Sequence, residues 1–193
     1  TVSNMTSIQS IADTGNGFWM VAGFNSGGDL AFATINKTTL NVQIASQTFV
    51  STDTLLGSMA AHQGADGSRY VSVATRNGTA LTIRTLLLSS SGAVLSSSQT
   101  SPSAQYATSG APISVSASHG GFWVVGPSTT AGASRLNWYA SAQSPTVLES
   151  FETTAFVVPN NTWSMSTVLA PEPGTMIALG AGLVALLRRK RQA

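Results

Sequence analysis

Gly17-Phe18-Trp19-Met20-Val21, Ser68-Arg69-Tyr70-Val71-Ser72-Val73 and Gly121-Phe122-Trp123-Val124-Val125 are three passages of one kind: an aromatic residue follows a Gly- or Ser-containing turn and opens an apolar run. Phe18, Tyr70 and Phe122 are spaced 52 and then 52 residues apart. A shorter alternating run lies upstream of each, around Ile8, Met59 and Ile113, and a further one surrounds Met165, with spacings of 51, 54 and 52. Recurrence at such a period marks a supersecondary unit that stacks on copies of itself.

Each period divides into four short strands. In the first they fall at roughly 6–12, 17–24, 29–35 and 41–49, and the second and third repeat the order from about 58 and 112. Leu30-Ala31-Phe32-Ala33-Thr34-Ile35 and Leu81-Thr82-Ile83-Arg84-Thr85-Leu86 alternate with the period of two expected of half-buried strands. Gly27-Gly28-Asp29, Asp66-Gly67, Asn77-Gly78 and Ser91-Gly92 sit between the runs, where hairpins need tight reversal. No helical pattern precedes residue 174. The pattern predicts an all-β body of about three four-stranded repeats, 6–57, 58–111 and 112–168, in a β-propeller-like array, with a β-sandwich as the alternative. Three blades would leave open edges, and the chain begins Thr1-Val2-Ser3 with no basic and apolar leader. Both features lead us to expect further blades and a secretory signal upstream, the sequence being a C-terminal part of a larger chain.

Of the 193 residues, 42% are hydrophobic and only 8% charged, well below the share of about 25% usual in soluble domains. The polar positions are filled instead by Ser, Thr, Gly, Ala and Asn, a surface suited to export. There is no cysteine, which excludes disulfides and thiolate metal sites. The basic pI of about 9.4 suggests a nucleic-acid partner until the charges are placed. Four of the nine basic residues are Arg188, Arg189, Lys190 and Arg191, whereas residues 1–173 hold Lys37, Arg69, Arg76, Arg84 and Arg135 against seven acids. The body carries no basic cluster of the sort phosphate binding requires, so no nucleic acid is expected.

The last stretch differs from everything before it. Pro171-Glu172-Pro173 precedes an uncharged run from Gly174 to Leu187, rich in Ala and Leu, which the four basic residues close. In lipid such a run is driven to helix because its peptide groups find partners only within the segment. The expected layout is an exported domain over 1–169, a linker at 170–174, a transmembrane helix at 175–187 and a basic cytoplasmic tail at 188–193. The arginines stay inside by the positive-inside rule, which puts the body outside the cytoplasm. Fourteen residues span about 21 Å as helix against a hydrocarbon core of about 30 Å, which favours a transient, processed anchor.

This order of proline motif, apolar run and basic stop resembles the PEP-CTERM sorting signal of bacteria that make extracellular polysaccharide. The resemblance covers residues 170–191 and none of the body. It implies recognition by an exosortase, a membrane enzyme thought to act next to the Pro-Glu-Pro motif, here Pro171, Glu172 and Pro173. Arg188, Arg189, Lys190 and Arg191 take the place of the family's membrane stop. The implied course is passage through the inner membrane, then the cell surface or release, with exopolysaccharide a candidate partner.

Groups for catalysis are sparse. His62 and His119 are the only histidines, stand at different places in their repeats and read as structural. No nucleophile elbow, P-loop or dinucleotide glycine pattern occurs. Asp13-Thr14-Gly15-Asn16-Gly17-Phe18 partly resembles the Asp-box turn of sialidase-like propellers and carries part of a calcium-loop pattern; a plain Asx turn accounts for it. Glu149 and Glu152 are expected on an outer strand facing solvent, not as a hydrolytic pair. Trp138, Tyr139 and Trp163 are candidates for stacking on sugar rings, although such aromatics more often pack between blades. No metal site, cofactor or enzyme activity is expected. The favoured role is a non-catalytic surface or matrix protein. The alternatives are a glycan- or peptide-active enzyme whose catalytic groups lie upstream, and a periplasmic scaffold.

Overall fold

The protein was analysed as a computed structural model, which describes residues 5–49, 55–77, 80–102, 105–107, 113–118 and 120–156. Among the described residues twelve strands follow one another. They are β1 (Ser7–Asp13), β2 (Phe18–Phe24), β3 (Leu30–Asn36), β4 (Val42–Phe49), β5 (Leu55–Gln63), β6 (Arg69–Asn77), β7 (Ala80–Leu88), β8 (Val94–Thr100), β9 (Ser114–Ser118), β10 (Gly121–Pro127), β11 (Ser134–Ala140) and β12 (Val147–Thr153). In the first repeat they fall within a residue or so of the expected positions. They form three antiparallel meanders of four strands, β1–β4, β5–β8 and β9–β12, each paired in chain order.

The body is therefore all-β, in three sheets with two cores between them. One core joins the first two sheets through Met20, Ala22, Leu30 and Phe32 against Met59, Val71, Val73, Leu86 and Leu88. The other joins the second and third through Ala60, Ala74, Leu81 and Ile83 against Val115, Phe122, Val124 and Tyr139. The middle sheet is thus covered on both faces, and the strand period of two divides its residues between the cores. Val71 and Val73 go one way; Tyr70, Ser72 and Ala74 go the other. The opening strands of successive sheets lie against each other, β1 beside β5 and β5 beside β9.

One expectation drawn from the 52-residue spacing needs correction. Phe18 reaches the β7–β8 turn, where a Cβ on Gly92 would come within 3.5 Å of its ring, so it faces the following sheet. Tyr70 also faces the following sheet, stacked with His62. Phe122 instead faces the preceding one, so its counterpart in the middle sheet is Val71 and not Tyr70. The cause is the connection. Residues 14–17 and 64–68 join the first two strand pairs, whereas only 119–120 join β9 to β10. A one-residue change of register exchanges the two faces of a strand.

Among the described residues no helix is long and apolar enough to cross a membrane. The expected span at 175–187, the Pro171-Glu172-Pro173 motif, the basic cluster at 188–191 and the run near Met165 all lie outside the described residues.

Candidate functional site

The third sheet turns one face to the core and leaves the other uncovered by the middle sheet. On β10, Phe122 and Val124 point inward, so alternation puts Trp123 on the opposite side, and pairing puts Trp138 of β11 directly beside it. Their rings stack at 6.1 Å between centroids, and the ring of Phe151, from β12 on the far side of β11, lies 6.0 Å from that of Trp123. The three form an aromatic strip across adjacent strands, with Phe151 49% exposed and both tryptophans half-buried. Gly121 is required beneath it. A Cβ there would meet Trp138 Nε1 at 2.3 Å, and the indole N–H is buried over this glycine with no hydrogen-bond partner. The strip therefore offers ring faces and not a polar handle.

Of the three aromatics expected to stack on a ligand, Trp138 belongs to this strip. Tyr139, one residue on, faces the core, is fully buried and stacks on Phe122 at 5.2 Å, so it is a packing residue and not a platform. Trp163 lies outside the described residues. Trp123 and Phe151 were not singled out in the sequence, although the alternation of Trp123 with the core residues Phe122 and Val124 on β10 was a signal for its face.

His62 sits between the second and third sheets. Nδ1 is 2.6 Å from Ser141 Oγ, Nε2 is 2.9 Å from Ser72 Oγ, and Ser72 in turn lies 2.9 Å from Thr85 Oγ1. The ring stacks on Phe122 at 4.6 Å and on Tyr70 at 5.7 Å. Desolvation in this setting lowers its pKa from 6.5 to about 4. A neutral imidazole with two hydroxyl partners and no carboxylate ties two sheets together; as a general base it lacks the orienting acid and an open face. His119 lies outside the described residues.

Asp13 and Glu152 are engaged locally. Asp13 accepts the Gly15 N–H at 2.7 Å, an Asx turn, and pairs with Lys37, whose hydrogen bond together with the Gly15 N–H holds the carboxyl below its usual pKa. Glu152 pairs with Arg135 across β11 and β12. Glu149 lies opposite Trp138, whereas Glu152 lies opposite Arg135; three positions apart on one strand, the two carboxylates point to different faces and both are exposed. Among the described residues no three His, Cys, Asp or Glu side chains gather as metal ligands would.

Residues 169–192 match the family described as the PEP-CTERM protein-sorting motif. No curated protein matches the chain.

Proposed function

We propose that the chain is a non-catalytic protein of the bacterial cell surface or extracellular matrix, whose β-domain contacts exopolysaccharide. The observation that carries this reading is the match at residues 169–192, because a PEP-CTERM signal implies export and handling by an exosortase. In this reading Pro171, Glu172 and Pro173 are the recognition element. Residues 175–187 enter the inner membrane as a short helix, and Arg188, Arg189, Lys190 and Arg191 hold its cytoplasmic end until processing. The side-by-side packing of β1, β5 and β9 supports a propeller-like arrangement, in which the first strand of each blade lines a common axis. The strip of Trp123, Trp138 and Phe151 supports the ligand class, since flat aromatic surface suits the apolar faces of sugar rings.

Two measurements test the reading separately. Intact-mass analysis of the protein recovered outside the cell should show loss of residues beyond about Pro173, and an end at Arg191-Gln192-Ala193 would rule out processing. Binding to the producing organism's exopolysaccharide should weaken roughly fivefold to tenfold when Trp123 and Trp138 are both changed to Ala. Unchanged binding, with the fold intact by circular dichroism, would remove the strip from the contact.

A further inference from the structure

Strand β12 is an open edge of the third sheet, paired with β11 on one side only. It is exposed along nearly its whole length, and its large apolar residues Val147, Leu148 and Phe151 all stand in solvent. Natural sheets blunt such edges with lysine, proline or a bulge, because a row of unpaired N–H and C=O groups is a template for another strand. From Glu149 to Thr153 β12 has neither lysine nor proline, and it runs in unbroken register with β11, the one bulge lying beyond Glu149 toward Val147. The outer strand of the middle sheet, β8, differs: its centre is Ser96, Ser97 and Ser98.

The aromatic strip indicates which strand fits. It runs out to this edge and ends there in the half-exposed ring of Phe151. A second copy of the chain, related by a two-fold axis normal to the sheet, brings its own β12 alongside in antiparallel order with its strip on the same face. With the axis at Phe151 that ring meets Phe151 of the second copy, an aromatic cross-strand pair. Glu149 then comes opposite Thr153 and Glu152 opposite Ser150, so no carboxylate faces another. Ser150 moreover lies 3.1 Å from the Arg135 guanidinium, which sets positive charge close to the incoming Glu152. An axis at Glu149 or at Glu152 would instead put like charges directly against each other.

We propose that two copies of the chain pair antiparallel along β12, joining their third sheets into one of eight strands and their aromatic strips into one surface. The test needs no polysaccharide, so this pairing and the glycan contact can fail separately. It uses the full 193-residue chain in detergent micelles, and a sequence without cysteine makes it specific for register. Under mild oxidation Glu149→Cys/Thr153→Cys should give a covalent dimer, because each cysteine faces the other position in the second copy. Either single variant should stay monomeric, since like positions sit about 13 Å apart along the strands, beyond the reach of a disulfide. A double variant that does not crosslink, or single variants that crosslink equally, would overturn the proposal. In sedimentation equilibrium the wild type should dimerise with a dissociation constant on the order of 100 µM, as befits an interface below about 1,200 Å². Phe151→Glu, which opposes two carboxylates across the axis, should weaken the dimer about tenfold. Association unchanged in that variant, or absent from the wild type, would refute pairing through β12.

Discussion

The two faces of the middle sheet are built from the same strands and solve burial differently. Toward the first sheet the centre of the contact is apolar, with Met20 and Phe32 against Val71, Val73 and Leu86; around it Arg84 lies over the Phe49 ring, Arg69 donates to the Thr14 carbonyl and Thr34 Oγ1 to the Gly92 carbonyl. Toward the third sheet the contact carries the polar line Ser141–His62–Ser72–Thr85 and the unpartnered Arg76. At the same interface Ser58 stands in for part of a ladder between β5 and β9: its hydroxyl donates to the Val115 carbonyl at 3.0 Å and accepts the Val115 N–H at 2.5 Å. Apolar contact is tolerant of small shifts, whereas hydrogen bonds of this sort fix one alignment. Both interfaces are pinned by such bonds, the first through Thr34 and Arg69 reaching the connecting turns, the second through Ser58 and His62 within the sheet contact itself.

The largest effects should come from removing a ring on either side. Phe32→Ala and Phe122→Ala are each expected to cost about 3–5 kcal/mol by urea unfolding, since both side chains are essentially fully buried. They should part company in the titration of His62. Phe122→Ala uncovers the imidazole and should move its pKa up from about 4 toward 6.5, while Phe32→Ala should leave it where it is, as read by proton NMR. Equal behaviour in the two variants would mean that the interfaces are not separate.

Acidification comes next in size. An unfolded His62 takes up a proton near pH 6.5, whereas the folded one resists until about pH 4, so the unfolded state binds more protons through that window. Stability should be complete above pH 6.5 and fall by on the order of 3 kcal/mol by pH 4, and His62→Gln should flatten the slope. Asp13, Asp66 and Glu152 have lowered pKa values, so their contributions are lost at more acid pH. An unchanged slope in the variant would sever this interface from pH sensitivity.

The smallest effect is expected at Arg84. Replacing it with Met keeps the stem packed and removes the cation–π contact, a change within about 1 kcal/mol by thermal melting. A loss of several kcal/mol would instead mark the first interface as the one that depends on its charge.

The strands and their order were legible because alternation and turn residues are local signals. Leu30–Ile35 alternates, Gly27-Gly28 precedes it, and β3 forms where that reading puts it. What failed was anything depending on which face a strand turns to its neighbour. Phe122 shares its sequence context with Tyr70, yet the two-residue turn before β10 reverses its direction, and Tyr139 becomes core for the same reason. Arg76 stands beside the Asn77-Gly78 pair, where a charged residue ordinarily marks a solvent-facing strand end; Gly57 and Ile113, both distant in sequence, pack beside it. The sorting motif was legible in full because it is read as linear sequence, and its match at 169–192 needs no fold.

The position of β12 bears on how the domain meets mechanical load. It is the outermost strand of the third sheet and the last described strand before the sorting motif, and its Thr153 end pairs with Ser134, the first residue of β11. While the tail is held, a pull directed away from the sheet reaches the fold at that end. It meets the β11–β12 pairs one after another, from Thr153 back toward Val147, in an unzipping geometry where each pair bears the force alone. Drag on the body would then peel the edge strand at modest force before either core was disturbed, so the domain would yield first at the seam nearest its tether.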